Sequence, residues 1–296
     1  MKIIKCMLAG LLFVSQALAF EVIKDERAVK ISTAGKDVLE YRFGEVPFKP
    51  YVAQLSTPAG VTVLRDAPFD HKHHHSLMFA VEAVGVDFWS EQPICGRQLG
   101  AQPDTKSNSL LHRLEWRTPE GKHVLSEERT ISLNDSSNVT LITWRSRLQT
   151  SADTNEVTLT GSHFFGLGMR FVTNMDVVAT FVYASGKAGD VVRGTERLTA
   201  TSWCACSGPV SGKLVTAALF DHPSNVRYPS RMFTMTKPFT YLSATLNLWK
   251  EPYILKAGNP LDLRYGIALW DGNVSREQIE KTYRIWLLSA EAFAAP

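Results

Sequence analysis

Leu261-Asp262-Leu263-Arg264-Tyr265-Gly266-Ile267-Ala268-Leu269-Trp270 decides the fold class. From Leu261 to Leu269, large apolar residues alternate with polar or small ones, which is the period-two pattern of a β-strand. Leu261, Leu263, Tyr265, Ile267 and Leu269 are expected to face a core. Asp262, Arg264, Gly266 and Ala268 are expected to face solvent or a cleft. Other β-rich runs are Val61–Leu64, Leu77–Val86, Val124–Leu133, Val139–Leu148, Val177–Tyr183 and Leu214–Phe220. Turn-forming stretches punctuate them, among them Thr57-Pro58-Ala59-Gly60, Thr118-Pro119-Glu120-Gly121 and Lys256-Ala257-Gly258-Asn259-Pro260.

Only the C-terminal region reads as helix. Ser275 and Gln278 have the spacing of a capping box, and Ile279, Tyr283, Trp286, Leu287 and Ala290 form one apolar stripe suited to packing on a sheet. Many strands without alternating helices argue against a parallel βαβ fold and for an all-β, large antiparallel sandwich with a C-terminal helix. Residues 20–296 show neither repeats nor a low-complexity linker, so a single domain is expected there. A chain of 296 residues, 45% hydrophobic and 21% charged, has the material for a full core.

Residues 1–19 read as a secretory signal. Lys2 and Lys5 precede an apolar run, Met7 to Val14, which leads to the small-x-small ending Ala17-Leu18-Ala19. A periplasmic or secreted location follows, with no stable membrane insertion once the signal is removed. The formal charge of +3 falls with it: without Lys2 and Lys5, 30 basic residues face 29 acidic ones. Such a balance offers no electrostatic case for a nucleic-acid partner. Cys95, Cys204 and Cys206 remain, an odd number, so at least one thiol lacks a partner within the chain; a Cys95 bond to Cys204 or Cys206 is one pairing the sequence permits.

The chemistry concentrates in histidines. Four of the eight stand together in Asp70-His71-Lys72-His73-His74-His75, immediately before the apolar run Leu77-Met78-Phe79-Ala80. If that segment is extended, His71, His73 and His75 share one face while His74 points to the other. Asp66 and Asp70 are near enough in sequence to fix an imidazole tautomer. His163 and Arg170 bracket the glycine-containing stretch Gly161 to Phe171. Asp221, His222, Asn225 and Arg227 follow a strand in a proline-shaped turn, a plausible recognition loop. Glu251, between Trp249 and Tyr253, is a candidate base if those rings desolvate it. Trp89 and Trp203 are candidate platforms for a sugar ring.

Asp70-His71-Lys72-His73-His74-His75-Ser76-Leu77-Met78-Phe79 resembles the D-H-x-H-H-R-G-L-W-F signature of the bacterial PmoA-like family. Gly85-Val86-Asp87-Phe88-Trp89, His163 with Gly166-Leu167-Gly168-Met169-Arg170, Trp203 with Ser207-Gly208, and Phe220-Asp221-His222-Pro223-Ser224-Asn225 extend the resemblance in order along the chain. His75, Ser76 and Met78 stand where that signature has Arg, Gly and Trp. The family's label comes from a membrane-embedded methane mono-oxygenase subunit. No comparable span follows the signal here, so that activity is not expected. The resemblance implies a β-supersandwich similar to galactose mutarotase, with His and carboxylate side chains acting on a sugar, and suggests oxidised (keto) sugars as substrates.

These readings converge on an exported carbohydrate-active enzyme of lyase or hydrolase type, or an epimerase-like one, acting on a small carbohydrate or glycoside. Its catalytic candidates are His71, His73, His74, His163, His222 and Glu251. Asp70, Trp89, Arg170, Trp203, Asp221, Asn225 and Arg227 are the substrate-binding candidates. Two alternatives use the same residues: a divalent metal held by His71, His73 and His163, and a non-catalytic carbohydrate-binding protein.

Overall fold

A computed structural model describes residues 19–134 and 136–292. Apart from Ala19, the expected signal lies outside the described residues. Two large sheets dominate. The first has ten strands in the order Phe20–Lys24, Ala28–Thr33, Lys36–Arg42, Tyr51–Leu55, Leu77–Ala80, Gly166–Arg170, Tyr241–Thr245, Arg231–Met235, Arg197–Ala200 and Asp190–Val191. The second runs Thr180–Tyr183, Trp203–Val210, Lys213–Asp221, Leu261–Asp271, Thr140–Thr150, His123–Leu133, Ser109–Arg117 and Arg97–Gly100, with Asp104–Lys106 added beside Ser109–Arg117. Tyr253–Lys256, Glu156–Thr160, Glu82–Ala83 and Val86–Asp87 make a four-stranded sheet. Every pairing is antiparallel. The all-β sandwich with one C-terminal helix is the architecture the alternation implied.

Leu261–Asp271 is a central strand, paired on both sides. Its odd-numbered residues Leu261 to Leu269 are buried in the core, as expected. Its other face is only partly open. Asp262 and Arg264 are half-buried, but Gly266, Ala268 and Trp270 are covered by the helix Arg276–Ala292. The helix reaches the sheet closely at Gly266, where a Cβ atom would lie 2.7 Å from the Trp286 ring. Ser275 caps the helix by accepting a bond from the Gln278 amide at 3.2 Å. Ile279, Tyr283, Trp286 and Ala290 pack beneath, with Leu287 at the margin.

The expected strand Leu77–Val86 is broken. Val84 and Gly85 both take positive φ (49° and 78°), turning the chain between two short strands. The Val177–Tyr183 run begins its strand only at Thr180, after a tight turn at Thr173–Met175. Val61–Leu64 contributes two isolated bridges, Thr62 to Ser56 and Leu64 to Phe171. Cys95, Cys204 and Cys206 are free and buried, so the permitted Cys95 disulfide does not form. Among the described residues, no helix is long and apolar enough to cross a membrane.

Between the two large sheets sits a polar cluster that the apolar pattern does not announce. Arg129 is wholly buried. Its guanidinium donates to Glu127 at 2.9 and 2.8 Å, to Gln98 Oε1 at 2.8 Å and to the Pro50 carbonyl at 2.8 Å. Trp116 and Ser146 donate to the same carboxylate at 2.9 and 2.6 Å. Breaking a buried, fully bonded pair strands the other charge and costs about 3–5 kcal/mol, whereas an exposed pair is worth about 0–1 kcal/mol. Arg129→Met is therefore expected to lower the denaturation midpoint sharply. Arg113→Met, which removes an exposed partner of Asp104, is expected to leave it nearly unchanged. Comparable midpoints in urea titrations of the two variants would contradict this.

Candidate functional site

The segment Asp66 to His75 is coiled, not extended. The Ala67 amide bonds the His74 carbonyl at 3.1 Å, His71 N bonds Pro68 O, and His74 N bonds His71 O. These turns change the expected sorting of the imidazoles. His71, His73 and His74 gather on one side, with ring centroids 4.5 to 5.9 Å apart. His75, expected beside His71 and His73, turns away from them. It lies between Asp66 (Nδ1, 2.8 Å) and Glu91 (Nε2, 2.9 Å) and stacks on Tyr51 at 3.9 Å. Glu91 in turn accepts from the fully buried Lys49 at 2.7 Å.

Burial alone would lower the His75 pKa, but its bonds to Asp66 and Glu91 outweigh that and hold it above the usual 6.5. His74 has the opposite surroundings. Burial, with the neighbouring His73, His71 and Arg170, drives its value down to about 2, so it stays neutral. His73 is lowered for the same reasons, burial first, then Lys49 and His71.

The three gathered histidines line a cavity of about 380 Å³ whose other walls are Phe164, Arg193, Glu196, Phe233, Met235, Pro238, Phe239 and Tyr241. Strand alternation explains the floor. Phe79 points toward the nine-stranded sheet, where it meets Trp116 at 6.1 Å. Gly168 and Arg170 therefore lie on the opposite face of the ten-stranded sheet, with Tyr241 directly across from Arg170 and Phe233 across from Ser243. Gly168 has a specific job: a Cβ there would stand 1.8 Å from the Tyr241 hydroxyl. Arg170 is buried with its guanidinium 3.4 Å from the Phe239 ring centroid, and burial pulls its pKa down to about 10.

His163 enters from the far side, edge-on to Phe233 at 5.4 Å and 3.4 Å from the Glu196 carboxylate. Glu196 is buried and also accepts from Arg193 at 2.7 Å. On the near side, Asp70 lies 3.1 Å from His71 Nδ1. One member of each close imidazole–carboxylate pair, His71 and Glu196, lines the pocket, and His71 Nδ1, His163 Nε2 and Glu196 Oε2 are themselves buried without a hydrogen-bond partner. Around it, His74 Nδ1, Trp89 Nε1, Tyr241 Oη and the Nε and Nη1 atoms of Arg170 are buried without a hydrogen-bond partner. So much unmet hydrogen-bonding capacity in one place is costly unless a ligand answers it.

The remaining candidates lie elsewhere. Trp203 is fully buried under the C-terminal helix and donates to Glu280 at 2.8 Å, so it is no sugar platform. Trp89 is buried, stacked on Phe165 at 4.9 Å and edge-on to His74 at 6.4 Å; it packs behind the site and is no open platform. His222 bonds Ser224 at 2.7 Å and packs edge-on to Trp286. Asp221 and Asn225 organise their turn. Asp221 accepts from Asn225 and from Ser230 N, and burial raises its pKa to about 6; Asn225 also bonds both backbone groups of Arg264. None of these four lines the histidine cavity. Arg227 and Glu251 line a separate cavity of about 200 Å³, and Glu251 is exposed rather than desolvated by Trp249 and Tyr253. Glu196, Tyr241, Phe233, Phe239 and Arg193 went unmarked in the sequence reading. Glu196 and Arg193 sit in an unremarkable polar stretch, and no local signal singles them out.

Among the described residues, no group of three His, Cys, Asp or Glu side chains is placed to hold a metal ion, and the set His71, His73 and His163 is not assembled as ligands. A larger trough of about 690 Å³ on the nine-stranded sheet is lined by Arg113, Glu115, Arg117, Glu128 and Arg147. Its charges already pair with one another.

Residues 28–284 match the model of a family of unknown function, DUF6807. The chain belongs to that family. No curated protein matches it. Among solved structures it is similar to a galactose mutarotase related enzyme from Lactobacillus acidophilus, with 8% identity and a TM-score of 0.40, covering 87% of this chain and 98% of that one. It is also similar to a polysaccharide lyase, with 9% identity and a TM-score of 0.35, covering 88% of this chain and 34% of that one.

The opposed surroundings of His74 and His75 have a measurable consequence. His75 contributes stability that is complete below about pH 6.5 and is lost as pH rises through its raised value. His74 does the reverse: its neutral burial destabilises the fold as pH falls from 6.5 toward about 2. NMR titration of ring-labelled histidines is expected to show His74 neutral throughout pH 5–8 and His75 still charged at pH 6.5. A His74 signal titrating above pH 5 would contradict the burial argument.

Proposed function

We propose that the protein is an exported carbohydrate-active enzyme that carries out acid–base chemistry on a keto-glycoside, cleaving its glycosidic bond by β-elimination. One observation carries the reading. His71 and Glu196 line an aromatic-walled cavity, with the Asp70 carboxylate 3.1 Å from the first and the His163 imidazole 3.4 Å from the second, and buried polar atoms in and beside it lack partners. A cavity of that size suits a small ligand such as a single sugar ring, with aromatic walls for its CH surfaces and polar groups for its hydroxyls. The motif resemblance read from the sequence points to the same substrate class.

The chemistry follows from a carbonyl beside the carbon that bears the anomeric centre. His71, oriented by Asp70, removes the proton from that carbon, and the C–H electrons move into an enolate. Arg170 and the Tyr241 hydroxyl supply positive potential and a donor for the enolate oxygen, while His74 stays a neutral hydrogen-bonding group. The enolate then re-forms its carbonyl as the anomeric C–O bond breaks. His163, paired with Glu196, protonates the departing oxygen. The products are an unsaturated keto-sugar and a free alcohol. Water added across the new double bond returns a proton to carbon and a hydroxyl to the anomeric centre, so the net change is hydrolysis.

Incubation with native and 3-keto glycosides is the test, with product release followed by chromatography. Turnover of the keto-glycoside is expected, and His71→Ala and His163→Ala are expected to lower it about 10²–10⁴-fold while leaving the circular dichroism unchanged. Sugar binding without turnover of any native or oxidised glycoside would overturn the enzymatic reading and leave a carbohydrate-binding protein.

A further inference from the structure

A second, separate cavity lies one strand step from the one described above. Phe233 and Met235 line the first, and Arg231 lies two residues before Phe233 on the same strand, hence on the same sheet face. The partner strand repeats the step. Tyr241 lines the first cavity, and Thr245, directly across from Arg231, lines the second. Successive same-face residues are about 7 Å apart, so Phe233 of the first cavity and Arg231 of the second are close neighbours. The His163 ring lies 5.4 Å from Phe233 and 6.1 Å from Trp249.

The second cavity, about 200 Å³, is lined by Ala200, Arg227, Arg231, Thr245, Asn247 and Glu251, among others. Its charges are unequally committed. Arg227 is bound into the loop wall, donating to the carbonyls of Leu246, Glu251 and Pro252 at 2.8, 2.5 and 3.2 Å. The Glu251 carboxylate accepts from Asn247 at 3.1 Å and lies 3.6 Å from Arg227. Arg231 forms no ion pair among the described residues. On the same turn as Asn247 and Glu251, Lys250 places its ammonium 4.8 Å from the Trp249 ring, which is 42% exposed. A cavity lined by an uncommitted guanidinium, with an exposed indole and an ammonium on its adjoining turn, suits a pyranose that carries a negative charge.

We infer that this second cavity receives the leaving half of the substrate and that it prefers an anionic unit, a sugar carboxylate of the uronic-acid type held by Arg231. The inference rests on the glycoside reading for its orientation. His163, beside Phe233 of the first cavity, is then on the side toward the departing oxygen that it protonates.

Binding can be read without turnover, so the two proposals fail separately. Calorimetric titration of the full chain with methyl glucuronide and with methyl glucoside is expected to show about tenfold tighter binding of the glucuronide, the gain from one charge-assisted contact. Arg231→Gln is expected to erase that difference while leaving glucoside affinity within about twofold. Arg231→Lys, which keeps the charge, is expected to restore part of it. Equal affinities, no binding of either probe, or a preference that survives Arg231→Gln would overturn the inference. A charge preference that Arg231→Gln removes, in a protein that cleaves no keto-glycoside, would support this subsite and sink the proposed reaction instead.

Discussion

The guanidinium of Arg129, withdrawn from water between the two large sheets, sets terms that the rest of the structure meets. A buried charge must be paired and hydrogen-bonded, and each of its bonds fixes a neighbour. Glu127 and Trp116 secure it to the nine-stranded sheet, while the Pro50 carbonyl secures it at the base of Tyr51–Leu55 in the ten-stranded sheet. Gln98, which accepts from Arg129, donates to the carbonyl of Phe79 at 2.9 Å. Phe79 belongs to the strand that emerges directly from the histidine loop and pairs with Gly166–Arg170. The ion pair in the core is thus connected, bond by bond, to the strands that carry the cavity floor.

Polar satisfaction then divides the molecule. Behind the loop, Asp66, His75, Glu91 and Lys49 form an unbroken series of short contacts, with Tyr51 and Arg42 each 3.0 Å from Asp66. In front of it, His74, Tyr241, Trp89 and Arg170 keep buried donors unmatched. A fold that satisfies its charges so fully on one side gains nothing structural from leaving them unmet on the other, since each unmatched group costs about 1–3 kcal/mol. The proposed recognition of a polar ligand would answer these unmatched groups.

The fold was largely legible in the sequence because alternation is a local signal. Leu261 to Leu269 carried it plainly, and Ser275 with the stripe from Ile279 to Ala290 announced the helix. The strand Leu77–Val86 misled because Val84 turns through positive φ, which no residue preference at that position foretells. The site was legible only in part. Four histidines in five residues drew attention to the loop that lines the cavity, and His163 and Arg170 to the segment that flanks it. Yet the extended reading grouped His75 with His71 and His73, whereas backbone turns grouped His74 with them. Glu196 and Tyr241 reach the cavity through strand pairing at long sequence separation, which one sequence does not display. Trp203 and His222 carried motif resemblance but were claimed by packing beneath the helix.

Proton abstraction beside a carbonyl is the central claim, and hydrogen exchange at that carbon tests it most directly. A 3-keto-glycoside cleaved by the protein in deuterated water should give an unsaturated keto-sugar with no hydrogen on the carbon between the carbonyl and the anomeric centre, and, once water adds, a sugar with deuterium at that carbon. His71→Ala should abolish both incorporation and cleavage, while His163→Ala should slow cleavage more than exchange. Cleavage to a sugar that keeps its original hydrogen at that carbon would contradict the account.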